Sequence, residues 1–149
     1  MDQNVLPPGW KLKPIGKLGK IYSGSTPSTN NKAYWDGDIN WITPNDLSNL
    51  QTRFIHSSER RITKAGLKNS ATHVLPANSL VISSRAPIGY LALPTEEFCT
   101  NQGCKSIVFN EEHNPEFHYY NILFRIKLLK DKGHGTTFAE ISKKGSCSN

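Results

Sequence analysis

Three aspartates, Asp36, Asp38 and Asp46, lie close together in sequence and could in principle hold Mg²⁺ for a small nuclease. Turn and cap chemistry competes for the same residues. Asp36 and Asp38 flank Gly37 in a tight-turn sequence, and Asp46 follows Pro44 as a helix-start residue. The five histidines (His56, His73, His113, His118, His134) are scattered, and none pairs with another at the four-residue spacing of a zinc-binding helix. No Ser-His-Asp arrangement follows from residue order. Cys99, Cys104 and Cys147 form neither a C-x-x-C pair nor zinc-ribbon spacing, and read as reduced thiols. The acids are therefore expected to shape loops.

Recognition chemistry is better represented. The segment from Gly24 to Leu47, GSTPSTNNKAYWDGDINWITPNDL, packs Tyr34, Trp35 and Trp41 among Ser, Thr and Asn side chains. Thr26, Ser28, Asn30, Asn31 and Lys32 form a polar loop able to touch phosphates and base edges. Ser83, Ser84 and Arg85 stand at a strand end before Pro87, and Asn101, Gln102 and Lys105 offer amide and ammonium groups at a second corner. Arginine suits guanine and Asn or Gln suits adenine. Each position alone reads as a solvated loop residue; several polar corners on one basic sheet make the case. Arg60, Arg61 and Lys64 are a phosphate-facing or merely solvated face. Core packing is the default for both Trp35 and Trp41; Trp41 is expected to pack inward with Ile39, and Trp35 has a place nearer the surface as its alternative. Asn114-Pro115-Glu116-Phe117 superficially resembles the Asn-Pro-Pro-aromatic motif of amino-methyltransferases, but Glu116 replaces the second proline and helix capping explains the segment.

A chain of 149 residues is about one domain and is large enough to build a core without disulfide or metal. The net charge of +6, from 18 Lys and Arg against 12 Asp and Glu, favours a polyanionic partner without naming one. No apolar run approaches the roughly 20 residues that span a bilayer. MDQNVLPPGW lacks a basic segment followed by an apolar one, so a cytoplasmic protein is expected.

The elements that must hold these corners are read from periodicity and punctuation. Strands are expected at Trp10–Ile15, Leu18–Ser23, Asp38–Thr43, Ser79–Ser84, Ile88–Leu93 and Lys105–Phe109. Ser57–Ser70 carries helix signals through Ile62, Ala65 and Leu67. A second helix starts at the Asn114 cap with Pro115 in its first turn. Phe117, Tyr120, Leu123, Phe124 and Leu128 form its apolar period, and Gly133 or Gly135 ends it. Thr137-x-x-Glu140 is a further capping box. The fold class expected is α+β: a twisted, mostly antiparallel β core with peripheral helices.

GSTPS…YWDGDINWITPNDL, RITKAGLKNSA, LPANSLVISSRAPIGYLAL, TNQGCKSIV and GTTFAEISK, in this order, resemble the target recognition domain of type I restriction-modification specificity subunits. The resemblance runs from about Trp10 to Lys143. It implies a non-catalytic domain that reads one half of a split DNA sequence through the major groove. It also implies partnership with a methyltransferase subunit, through it with a motor-nuclease subunit, and with a second specificity half. Residues 1–143 are then one target recognition domain and 144–149 a tail unlike the family, which continues there into a long spacer helix.

The reading is thus sequence-specific binding of double-stranded DNA, with no cofactor, metal or membrane partner expected. Ser28, Asn30, Lys32, Arg85, Asn101, Gln102 and Lys105 are its candidate DNA-binding residues. The alternative is a truncated half that serves as a protein-interaction module for the methyltransferase or another specificity fragment. A nuclease built on the three aspartates is a third reading.

Overall fold

Leu80-Val81-Ile82-Ser83 is buried at every position, which a strand tolerates only when both faces of its sheet are covered. The computed structural model describes residues 11–13, 17–77, 79–131 and 146–148, and it provides both covers. The strands are β1 (Lys11–Lys13), β2 (Gly19–Ser23), β3 (Trp35–Ile42), β4 (Phe54–Ile55), β5 (Arg61–Ile62), β6 (Leu80–Ser83), β7 (Leu91–Pro94), β8 (Phe98–Thr100), β9 (Cys104–Phe109) and β10 (Ser146–Ser148). The helices are α1 (Pro44–Ser48), α2 (Lys64–Lys68) and α3 (Pro115–Asp131), with a 3₁₀ turn at Lys32–Tyr34. A five-stranded sheet runs β2-β9-β6-β7-β4, a three-stranded sheet β5-β3-β8, and β1 pairs with β10. Only β3–β8 and β4–β7 are parallel; the remaining pairs are antiparallel. The α+β, mostly antiparallel expectation holds.

The two faces of the large sheet fill different cores. Leu80, Ile82, Leu91, Leu93 and Ile107 pack against Ile122 and Ile126 of α3. Val81, Ala92 and Cys104, on alternate positions, meet Ile42, Leu47, Ile55, Leu75 and Phe98 on the side of β3, β8 and α1. A third cluster joins Trp35, Trp41, Ile62 and Cys99 within the small sheet.

Several sequence expectations need correcting. The stretch 57–70 is not one helix: Ile62 is fully buried in β5, paired with both Trp35 and Ile39, and only five residues of α2 follow. Tertiary pairing overrides a weak local helix signal there. Asp36-Gly37-Asp38 is a bulge inside β3 rather than a turn between elements. Asp36 has φ 63°, and a Cβ on Gly37 would stand 2.5 Å from the Ile62 carbonyl oxygen. Trp35 is buried like Trp41, whereas Ile39 is only partly so. The strand expected at Ile88–Leu93 starts at Leu91, after a turn in which Gly89 has φ 91°. The start of α3 is as expected, with Asn114 Oδ1 accepting from the Glu116 and Phe117 amides at 2.9 and 3.4 Å. Its inward stripe, however, is Tyr119, Ile122, Leu123 and Ile126, which leaves Tyr120 and Phe124 exposed. The expected helix stop and the Thr137–Glu140 box lie outside the described residues.

Candidate nucleic-acid interface

The loop from Gly24 to Asn31 lies over the small sheet and is fastened from beneath by two indoles. Trp41 Nε1 donates to the Ser25 carbonyl and Trp35 Nε1 to the Ser28 carbonyl, each at 3.0 Å. The rings meet edge to face, with centroids 5.0 Å apart at 83°. Each ring thus buries its apolar body in the sheet while its one polar atom positions loop backbone. At the loop's start, the Ser25 amide donates to the Thr100 carbonyl at 3.1 Å. At its end, Asn31 caps the 3₁₀ turn that carries Lys32. Ser28, Asn30 and Lys32 are left exposed, and among the described residues their side chains make no hydrogen bond.

The second and third polar corners converge. Ser84 and Arg85 donate their amides to the Gly103 carbonyl at 2.8 and 3.3 Å. This sets the end of β6 against the turn Asn101-Gln102-Gly103. Arg85, Asn101 and Gln102 then line one open recess of about 400 Å³, together with Thr43, Pro44 and Asn45 at the start of α1. Thr26 Oγ1 donates to Gln102 Oε1 at 2.5 Å, which ties the first loop to this recess. Lys105 is not part of the lining. Its ammonium donates to Ser23 Oγ at 2.5 Å, at the root of the loop.

Asn45 escaped the reading by residue type; its one signal was a polar residue directly after the strand-ending Pro44. Thr100 escaped too, although its carbonyl anchors the loop. Arg60 and Arg61, at β5, and Lys64, at the start of α2, are all exposed. The Arg60 guanidinium lies 3.8 Å from the centre of the Trp35 ring, a cation–π contact. Among the described residues, Lys32, Arg60, Arg61, Lys64, Arg85 and Lys105 have no carboxylate within ion-pair distance.

Asp46 is committed to other partners. Asp46 Oδ2 accepts from the Thr43 amide and hydroxyl at 2.9 and 3.1 Å, closing a capping box, while Oδ1 accepts from the Glu59 amide at 3.1 Å. Among the described residues, no three His, Cys, Asp or Glu side chains gather as metal ligands would. Cys99 and Cys104 are free thiols, both buried. Burial pushes the Cys99 pKa up to about 12, and raises that of Cys104 further. Neither is a nucleophile at neutral pH. No helix among the described residues is long and apolar enough to cross a membrane.

This architecture has counterparts. The family described as type I restriction modification DNA specificity domain matches residues 7–145. The chain belongs to that family. It is 41% identical, over 97% of its length, to the type I restriction enzyme MjaIX specificity subunit of Methanocaldococcus jannaschii, and covers 34% of that protein. It is 31% identical, over 89% of its length, to the HindI specificity subunit of Haemophilus influenzae, and covers 29% of it. Among solved structures, the HsdS subunit of Thermoanaerobacter tengcongensis superposes with a TM-score of 0.66 over 99% of this chain and 34% of that one. Identity there is 17%, so that likeness speaks for the fold alone. The specificity-family chain spans about a third of the length of the relatives it matches.

Proposed function

We propose that this specificity-family chain is a single, non-catalytic target recognition domain. It reads one half of a bipartite duplex DNA sequence for a type I methyltransferase, and through that complex for a motor-nuclease. Residues 1–143 form the domain and 144–149 a tail. The observation that carries the reading is the pinned polar loop tied through Thr26 to the recess of Arg85, Asn101 and Gln102, on a chain whose exposed Lys32, Arg60, Arg61, Lys64 and Arg85 have no acid within ion-pair distance among the described residues. Cations of this kind set a protein on the phosphate backbone, and amide and guanidinium groups at loop ends read base edges. Ser28, Asn30, Lys32 and Arg85 present free side chains to the duplex in this reading. Asn101 and Gln102 present their amide nitrogens, and Lys105 steadies the loop from its root. The relatives' names place them in restriction enzymes as specificity subunits, which supports the same role here.

A second reading draws on α3, where Tyr120 and Phe124 are 53% and 48% exposed. Large exposed aromatics side by side on a helix suit a protein partner, such as the methyltransferase or another specificity half.

Selection from randomised duplex DNA, with and without a type I methyltransferase subunit, separates the two. A short enriched half-site is the expected outcome. Co-purification with the methyltransferase and no enriched sequence in either arm would leave only the interaction module.

A further inference from the structure

The polar atoms around the recess divide into those already engaged inside the protein and those turned outward. Ser83 Oγ accepts from the Tyr90 amide at 2.9 Å, and Ser84 Oγ donates to the Gly103 carbonyl at 3.3 Å. Thr43 Oγ1 belongs to the capping box. Asn101 Oδ1 accepts from the Gly103 amide at 2.9 Å. Because a backbone N–H can only donate, the oxygen of Asn101 must face inward, which leaves its Nδ2 outward whatever the initial amide assignment. The Thr26 hydroxyl donates to Gln102 Oε1, which engages that oxygen within the protein and leaves Nε2 without a partner among the described residues.

What remains at this corner is therefore a set of donors. Arg85 is exposed, makes no side-chain hydrogen bond or ion pair among the described residues, and has its backbone fixed on Gly103. Its guanidinium can only donate, and so can the outward nitrogens of Asn101 and Gln102. Asn45, at the far rim, is the one lining amide with an uncommitted side-chain oxygen.

In the major groove guanine shows two adjacent acceptors, N7 and O6. Adenine shows one acceptor and one donor, thymine one acceptor and a methyl, and cytosine a donor. Beside Arg85 the outward amide groups are donors, which matches guanine best on both atoms and places the amino groups of adenine and cytosine against donors; the one free amide oxygen of the lining is that of Asn45.

We infer that the Arg85–Gln102 recess reads one guanine of the target. Arg85 bridges N7 and O6, and Asn101 and Gln102 act as oriented donors that reject adenine and cytosine. The inference rests on the proposed DNA-reading role and assigns one base within it.

The test uses the full chain, the half-site it enriches, and duplexes in which each guanine in turn is replaced by 7-deazaguanine, which lacks the N7 acceptor. One guanine is expected at which the replacement weakens wild-type binding about 2- to 13-fold, half the free-energy range of one bidentate pair because O6 remains. In Arg85→Ala the same replacement should have almost no further effect, and selection should lose its preference for guanine over thymine there, while Asn101 and Gln102 still disfavour adenine and cytosine. Arg85→Lys, which keeps donors but loses the fork, should retain a reduced guanine preference. Because the altered atom is on the DNA, a folding defect in a variant cannot imitate this pattern. An enriched site without guanine, or Arg85→Ala with an undiminished response to 7-deazaguanine, overturns the inference while the DNA-reading role stands. Failure to enrich any duplex overturns both.

Discussion

Asn101 and Arg85 line the same recess, yet the first has its acceptor fixed in a turn and the second points uncommitted into solvent. Residue type alone treats both as equal readers. The difference lies in which atoms the fold has already satisfied, a tertiary fact that no local spacing encodes. The same holds for Trp35, for which core packing is the default and a place nearer the surface the alternative; it is buried, and its N–H holds the Ser28 carbonyl. The cysteines were more legible, because thiols without ligand spacing read as reduced, and Cys99 and Cys104 are free thiols, both buried. Burial gives a pH signature. The Cys99 pKa stands at about 12 in the folded chain against an ordinary 9.0, because its thiolate would be desolvated. The unfolded chain therefore releases this proton first. The contribution is fully present below about pH 9 and declines as pH rises towards about 12, by about 1.4 kcal/mol per pH unit within that window. Urea unfolding from pH 8 to pH 11 should show a steeper loss of stability in the native chain than in Cys99→Ala. Equal slopes in the two would mean that the Cys99 thiol is solvated.

At the scale of elements, strands with strong apolar runs were readable. β6 and β9 lie where 79–84 and 105–109 were expected, and the Asn114 cap starts α3 as its sequence requires. β4, β5 and β8, of two or three residues each, exist only through their neighbours. They carry too few side chains for a period, so the sequence could not announce them. The face of α3 was misjudged because Tyr120 and Phe124 are large and apolar but lie away from the sheet, where Ile122 and Ile126 point. The recognition loop depends on one element junction, where β2 passes into the loop at Gly24. A Cβ at Gly24 would overlap the carbonyl oxygens of Thr100 and Asn101 and the Thr100 hydroxyl. Backbone lies on two of those three contacts, so the neighbours cannot simply rotate away. Gly24→Ala should cost about 1–3 kcal/mol through overpacking. It should also shift Ser25 and Thr26, whose bonds to Thr100 and Gln102 set the loop. Thermal unfolding should fall by about 3 °C or more for each kcal/mol lost. Half-site affinity should fall together with it. A variant with native melting temperature and native affinity would show that the junction has room to spare.

For the molecule as a whole, the excess of six positive charges matters less than its arrangement. Arg53 pairs with Glu116 at 3.6 Å beside α3, away from the recess lining, whereas Lys32, Arg60, Arg61, Lys64 and Arg85 are exposed with no acid within ion-pair distance among the described residues. Unpaired cations of this kind stay solvated at little cost and release counterions from DNA when they meet phosphates. If about four of them do so, log K should fall with log salt at a slope of about −3.6. Raising salt from about 50 to about 200 mM would then weaken half-site binding roughly 150-fold. Replacing Arg61 and Lys64 by glutamine should make the slope shallower by about 1.8 and weaken all sequences alike, whereas loss of Arg85 should act chiefly at one base. Fluorescence anisotropy over a salt series, on cognate and scrambled duplexes, measures both effects. A flat salt response in the native chain would remove the phosphate contacts from the proposal. The Tyr120–Phe124 face of α3 would then be the surface through which this specificity-family chain acts, because it needs no polyanion.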